Sequence, residues 1–424
     1  MSEINYKNTN RKIKNYSFLS LSLIAVIGII IRLVFLPYDL PLYLDSFSFF
    51  TYSLALIEQG PFPSEYININ FGWPSFVSIF FLFTDDMSMI KLMMIQKIIS
   101  LIISVVTIIP VYYLLKKFFQ KNVAIIGSAI FCFEPHLIMN SIAGGTMPLF
   151  VCLTTTVIYF SLVNKTKFYF LSFIFVALTS FIRYEGLLLF IPVFISIFLQ
   201  KNTIRKKIKI SCISVLIFLL VLIPIMFVGY NPDVLLCKGC TDYTPVFMNK
   251  LPIFAHVFGA TITELDNWED ADNIRTNEVP PEIEKESRLG FYFTNALVGF
   301  SQMTILLMLP ILIICVVPSV FFISKKFTRN RIILIIFSLI ISFTGYFAYA
   351  RGMDDMKYLF PLIPIILLFS CLTIEKLYMR INGKKIGIGL VSGIFIISMV
   401  FVVFQTTDYQ SEKEIYLSAL FIVE

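Results

Sequence analysis

A chain of 424 residues that is 58% hydrophobic and only 14% charged cannot hide its apolar side chains in one water-soluble core, because soluble domains run nearer a quarter charged. The excess has to face lipid. A formal charge of +7 would invite nucleic acid on a soluble protein, but here the basic residues stand in clusters that alternate with apolar runs, which excludes that reading.

In chain order, residues 1–16 are a basic cytoplasmic N-terminus, and the run Phe18 to Phe35 follows it without a small-residue cleavage pattern. It reads as a retained anchor. Further runs at Leu101 to Leu115, Ile210 to Val228, Ile332 to Tyr349 and Ile386 to Phe404 approach the roughly 20 residues that cross about 30 Å of hydrocarbon. Between the first two lies an external segment, 37–91, whose short apolar stretches Phe47 to Glu58 and Trp73 to Phe83 are expected as interfacial helices. The second span is expected from about Met89 to Leu115. Residues 123–163 are expected to cross twice around an external turn from Glu134-Pro135-His136 to Thr146-Met147-Pro148.

The run 168–200 is interrupted at its middle by Arg183-Tyr184-Glu185-Gly186, which leaves two arms too short for a full bilayer. Such arms imply a vertex sunk below the outer surface and lining a cavity. Residues 230–292 form an acidic external loop, of which 264–288 is either a flap over a site or a solvated loop. It contains Cys237-Lys238-Gly239-Cys240, read as a disulfide or free thiols ahead of metal. The other five cysteines fall in or beside apolar runs. The Asn-x-Ser/Thr matches at Asn15 and Asn164 fall on the cytoplasmic side.

Basic clusters at the N-terminus, Lys116/Lys117/Lys121, Lys165/Lys167, Lys201 to Lys209, Lys325 to Arg331 and Lys376 to Lys385 are separated by even numbers of crossings. By the positive-inside rule they are cytoplasmic, and every acidic residue except Glu3 and Glu375 is then external. The expected architecture is all-α, with about eleven transmembrane helices, the N-terminus inside and the C-terminus outside. The transmembrane domain is 17–404 and the external tail 405–424, where an amphipathic helix begins and a longer protein is an open alternative.

No GxxxxGK[ST] loop, no GxGxxG after a strand and no HExxH is present, so nucleotide hydrolysis, nicotinamide chemistry and zinc proteolysis lack their parts. What remains is a set of ionisable residues at the outer helix ends. Asp45 has almost wholly apolar neighbours, so a partly desolvated carboxylate suited to general-base work is expected there. Glu134 enters the next external turn from the apolar stretch Ile125 to Phe133. Lys97, Arg183, Arg351 and Lys357 share that side and suit an anionic phosphate, although any one of them could simply snorkel to water.

The ordered set Leu44-Asp45-Ser46, Phe71-Gly72-Trp73-Pro74-Ser75-Phe76-Val77, Ile95-Gln96-Lys97-Ile98-Ile99-Ser100, Val111-Tyr112-Tyr113-Leu114-Leu115-Lys116-Lys117, Ile182-Arg183-Tyr184-Glu185-Gly186 and Lys357-Tyr358-Leu359-Phe360-Pro361 resembles the GT-C superfamily of membrane glycosyltransferases. The likeness is to its protein O-mannosyltransferase and aminoarabinose transferase branches and runs from about residue 18 to 404. It departs in Asp45-Ser46 for Asp-Glu, Lys97 for Arg, and Thr146-Met147 where an acid often precedes the fourth span. The resemblance implies sugar transfer from a polyprenyl (dolichyl)-phosphate donor to a protein, lipid or glycan acceptor at the external face, inverting, with Asp45 as general base. It implies Glu134 as second acid, and Lys97, Arg183, Arg351 and Lys357 against the lipid phosphate. Tyr43, Trp73, His136, Tyr184, Glu185 and Tyr358 would line the acceptor and donor pocket. A divalent Mg²⁺ or Mn²⁺, used by some relatives only, would sit on Asp45 and Glu134. The competing readings are a secondary transporter or lipid flippase with a broken-helix site around Arg183-Glu185, and a non-catalytic assembly subunit.

Overall fold

Apolar runs become helices here, and proline, glycine and charge set where those helices stop. The computed structural model describes residues 2–42, 44–60, 70–84, 88–228, 285–309, 312–319, 321, 328–350, 355–380, 387 and 389–404, and the regular structure among them is entirely helical. The helices are α1 Ser2–Val34, α2 Leu44–Glu58, α3 Gly72–Phe81, α4 Met89–Val106, α5 Ile108–Lys116, α6 Lys121–Cys132, α7 Pro135–Ile142 and α8 Met147–Leu162. There follow α9 Thr166–Ile182, a 3-10 turn Tyr184–Leu189, α10 Phe190–Phe198, α11 Ile204–Val228, α12 Lys285–Met308 and α13 Leu312–Ser319. Last come α14 Arg329–Ala350, a second 3-10 turn Met356–Leu362, α15 Ile363–Arg380 and α16 Gly389–Phe404.

Four segments are long and apolar enough to cross a membrane on their own: Ser17–Val34, Met89–Lys116, Arg329–Ala350 and Met356–Met379. Two bent pairs also qualify, α6 with α7 at 49°, and Ala296–Met308 with α13. The chain is a multi-pass membrane protein. Its apolar surface follows from that: Phe18, Leu23, Ile30 and Val34 of α1 point outward, as do Leu216 and Leu220 of α11 and Leu339 of α14. The two short helices expected between the first spans are present as α2 and α3, which pack on each other while α3 also leans on α4 and α9.

The second span runs through α4 and α5 with a break at Thr107. Pro110 lacks the N–H that would reach the carbonyl of Val106, and next to that gap the Thr107 hydroxyl donates to Ile103 O at 2.7 Å. The expected turn from Glu134 to Pro148 is corrected by α7, which occupies most of it. Glu134 Oε2 accepts from Leu137 N at 2.9 Å, and Pro135 stands in the first turn, so the pair starts a helix where a loop was expected.

Arg32 is fully buried in this bundle. Its Nε donates to Ser141 Oγ at 3.0 Å, Nη1 to the carbonyls of Gly28 and Cys132 at 3.1 Å each, and Nη2 to Ser104 Oγ at 3.1 Å. One side chain thereby joins α1 to α4, α6 and α7.

Glycine governs the contact that seats α3. A Cβ on Gly72 would lie 2.5 Å from the carbonyl oxygen of Phe181, close to the end of α9, so no side chain fits. Gly72→Ala is expected to push α3 off α9 and lower stability by about 1–3 kcal/mol, read as the unfolding midpoint in detergent. An unchanged midpoint would mean that α3 is not seated there.

Candidate functional site

Asp45 is the second residue of α2, where the helix dipole favours a negative charge. Against the expectation of a partly desolvated carboxylate, the side chain is 66% exposed, because α2 turns Phe50 and Ser53 inward and leaves Asp45 outward. What it has instead is a cation. Lys357 Nζ donates to Asp45 Oδ2 at 2.8 Å across 312 positions of sequence. The same ammonium lies 2.9 Å from Asp355 Oδ2. Asp355 is itself held, since its Oδ1 accepts from Lys357 N at 2.8 Å and its carbonyl accepts from the Tyr349 hydroxyl at 3.0 Å.

From Lys357 the contacts continue to the broken hairpin. The Tyr358 ring lies 5.7 Å from Lys357 Nζ and 5.2 Å from the Arg183 guanidinium, while Phe150 faces that guanidinium at 5.9 Å. Arg183 donates to Glu185 Oε1 at 2.7 Å, both side chains being little exposed. The backbone explains the vertex: α9 ends in extended geometry at Arg183, and Gly186 packs against Thr179 so closely that a Cβ would fall 2.7 Å from its carbonyl carbon. Tyr184 is half-buried in the 3-10 turn beside them. Thus Asp45, Arg183, Glu185, Lys357 and Tyr358, from three distant segments, form one cluster.

The first turn of α2, which carries Asp45, and the loop before it are held from α4. Gln96 Nε2 donates to Ser46 O and Gly144 O, at 2.9 Å each. Lys97, expected to face phosphate, is turned inward: Nζ donates to Pro37 O at 2.9 Å and Leu40 O at 2.7 Å. It is buried at 2% exposure, and its charge is spent on main-chain carbonyls. Gly144, at φ 75°, lets the turn after α7 come close, since a Cβ there would meet Leu42 at 2.8 Å and Lys97 at 3.3 Å.

Glu134, His136 and Trp73 stand apart from the cluster. Glu134 is buried as the cap of α7. His136 Nε2 lies 3.1 Å from Leu309 O, and the ring meets Phe401 edge-on. Trp73 is fully buried and stacks with Phe76 in a small core with Phe50, Val77, Phe81 and Leu92. Tyr43, Arg351, Cys237, Cys240, the acidic loop up to residue 284 and the tail 405–424 lie outside the described residues. An Asp45–Glu134 metal pair does not fit this geometry. One carboxylate is exposed on Lys357, the other is buried with one oxygen spent on a helix cap, and among the described residues no three His, Cys, Asp or Glu gather as ligands.

Sequence reasoning missed Arg32, Gln96 and Asp355. Arg32 carried a signal, being a lone cation within an apolar run. Gln96 and Asp355 carried none beyond their neighbours.

Residues 77–228 match the model of the dolichyl-phosphate-mannose-protein mannosyltransferase family, a stretch that holds Lys97, Glu134 and Arg183–Glu185 but neither Asp45 nor Lys357. In fold the chain is similar to the Archaeoglobus fulgidus oligosaccharyltransferase AglB in complex with an inhibitory peptide and a dolichol-phosphate, at TM-score 0.56 and 12% identity over 92% of this chain and 56% of that one. The same archaeal enzyme in complex with Zn and sulfate gives 0.54 and 14%, over 88% and 52%. ArnT from Cupriavidus metallidurans bound to undecaprenyl phosphate gives 0.52 and 11%, over 88% and 63%. The chain therefore spans 52 to 63% of the length of these structures. No curated protein matches it in sequence.

Proposed function

Because the chain carries the fold of the GT-C membrane glycosyltransferases, we propose that it moves a sugar from a polyprenyl-phosphate donor to an acceptor at the external face of the membrane, inverting at C1. The observation that carries this is the line of contacts from Asp45 through Lys357 and Tyr358 to Arg183. It sets a carboxylate and two cations along one end of the bundle. The acceptor hydroxyl or amide attacks C1, its proton passes to Asp45, and the bond from C1 to the phosphate oxygen breaks. The lipid phosphate leaves with one more negative charge than the donor carried, and Lys357 and Arg183 are the cations positioned to meet it. Polyprenyl phosphates as donors are supported by the dolichol-phosphate and undecaprenyl phosphate bound in the two similar folds.

Sidedness is supported by the opposite end of the bundle. There Arg329, at the start of α14, donates to Ser161 O and Ser196 O at 3.3 and 3.4 Å and bonds the Tyr169 hydroxyl, and Lys117 is near enough to feel its charge. Basic helix ends gathered at one pole are the cytoplasmic signature, and the Asp45 cluster lies at the other.

The test is transfer of radiolabelled sugar from polyprenyl-phosphate donors by membranes carrying wild type or Asp45→Asn at matched expression. A loss of about 10²- to 10⁴-fold is expected for removal of a general base. Equal transfer by both would remove Asp45 from the mechanism. Silence from both across several donors would favour a transporter or flippase built around Arg183–Glu185.

A further inference from the structure

Two carboxylates facing one point are a common start for holding a hard divalent cation. In this chain that point is taken by a lysine. Lys357 Nζ sits 2.8 Å from Asp45 Oδ2 and 2.9 Å from Asp355 Oδ2. The lysine is well anchored: its own N–H is bound by Asp355 Oδ1, its side chain is only 23% exposed, and the Tyr358 ring faces the ammonium. An ion bridging the two carboxylates would have to displace the ammonium, because like charges a few ångströms apart repel strongly outside bulk water.

We propose that Lys357 is the built-in cation of this site, occupying the place between Asp45 and Asp355 that a divalent ion would need, so that this chain works without a metal on Asp45. The proposal deepens the glycosyltransferase reading and rests on it for the chemistry, though not for the ion binding it forbids. Charge balance gives the lysine its task. Before transfer, Asp45 and the donor phosphodiester each carry one negative charge. Afterwards Asp45 is protonated and neutral, and the leaving phosphate carries two. Lys357 loses a carboxylate partner at the step in which the phosphate gains charge, so the ammonium can exchange one for the other while the total charge of the site stays constant. Asp355 keeps hold of the lysine through both states.

The experiment follows Mn²⁺ binding to the purified full chain by electron paramagnetic resonance, in wild type, Asp45→Asn, Lys357→Ala and the double variant. Wild type and Asp45→Asn should bind Mn²⁺ equally. Lys357→Ala should bind at least about tenfold more tightly, and the added Asp45→Asn should cancel that gain. Transfer by wild type should be unchanged by EDTA, and Lys357→Ala should lose it. Mn²⁺ binding by wild type that Asp45→Asn abolishes, transfer abolished by EDTA, or a folded Lys357→Ala with no gain in binding would each overturn the proposal. Should Lys357→Ala not fold, the comparison of wild type with Asp45→Asn decides alone. If no donor supports transfer, the glycosyltransferase reading fails while the Mn²⁺ comparison still decides the ion.

Discussion

Arg32→Leu is expected to lower the stability of the detergent-solubilised protein by about 2–5 kcal/mol, since each interhelical hydrogen bond in a membrane bundle contributes about 0.6 to 1.7 kcal/mol and three of the four Arg32 bonds cross to another helix. The bonds reach Ser104, Cys132 and Ser141, so their loss loosens α1 from α4, α6 and α7 together. Glu134 adds to the cost. Its carboxyl group is buried within electrostatic reach of Arg32, and removing the cation takes its opposite charge away from an apolar interior. Arg32→Leu combined with Glu134→Gln should therefore cost less than the two single changes summed. The measurement is the thermal midpoint of all three variants; additivity would show that the two charges do not sense each other, and a wild-type midpoint for Arg32→Leu would show that the guanidinium holds nothing.

Arg183→Met is expected to reduce both transfer and stability, for separable reasons. Glu185 Oε1 loses its partner at 2.7 Å, and Oε2 is already buried without a hydrogen bond, so a carboxylate is stranded. Arg183→Met/Glu185→Met removes both charges and should recover most of the stability. Transfer should not recover. If Arg183 meets the phosphate, its loss costs about 10²- to 10³-fold in turnover whatever Glu185 does, the size seen when one preorganised donor is removed. A double variant that regains transfer along with stability would reduce Arg183 to a structural role.

The helices were legible because lipid leaves so little choice: an apolar run of about 20 residues is a span, and a charged tetrapeptide in its middle is a break. Arg183-Tyr184-Glu185-Gly186 showed its vertex in that way. Lys357 could be seen as a cation near the outer face, but nothing local reveals that it meets Asp45, 312 positions away. Lys97 was misread for a physical reason. A lysine inside an apolar helix reaches for water or a phosphate unless a loop brings carbonyls to it, and only the path of the chain at Pro37 and Leu40 decides that. Glu134 could have been read from Glu-Pro, a cap followed by a residue suited to the first turn. Its appeal as an acid hid the commoner use.

The clamp from α4 has a consequence for what can change around Asp45. Gln96 and Lys97 grip the loop by the oxygens of Pro37 and Leu40 and the first turn of α2 by that of Ser46, and a carbonyl oxygen is the same whatever side chain accompanies it. The path of the loop is thus specified separately from its lettering. Exposed positions such as Tyr38 can be rewritten to suit a different acceptor while the carboxylate stays where α4 puts it. A site gripped by its main chain can acquire new substrates without being rebuilt.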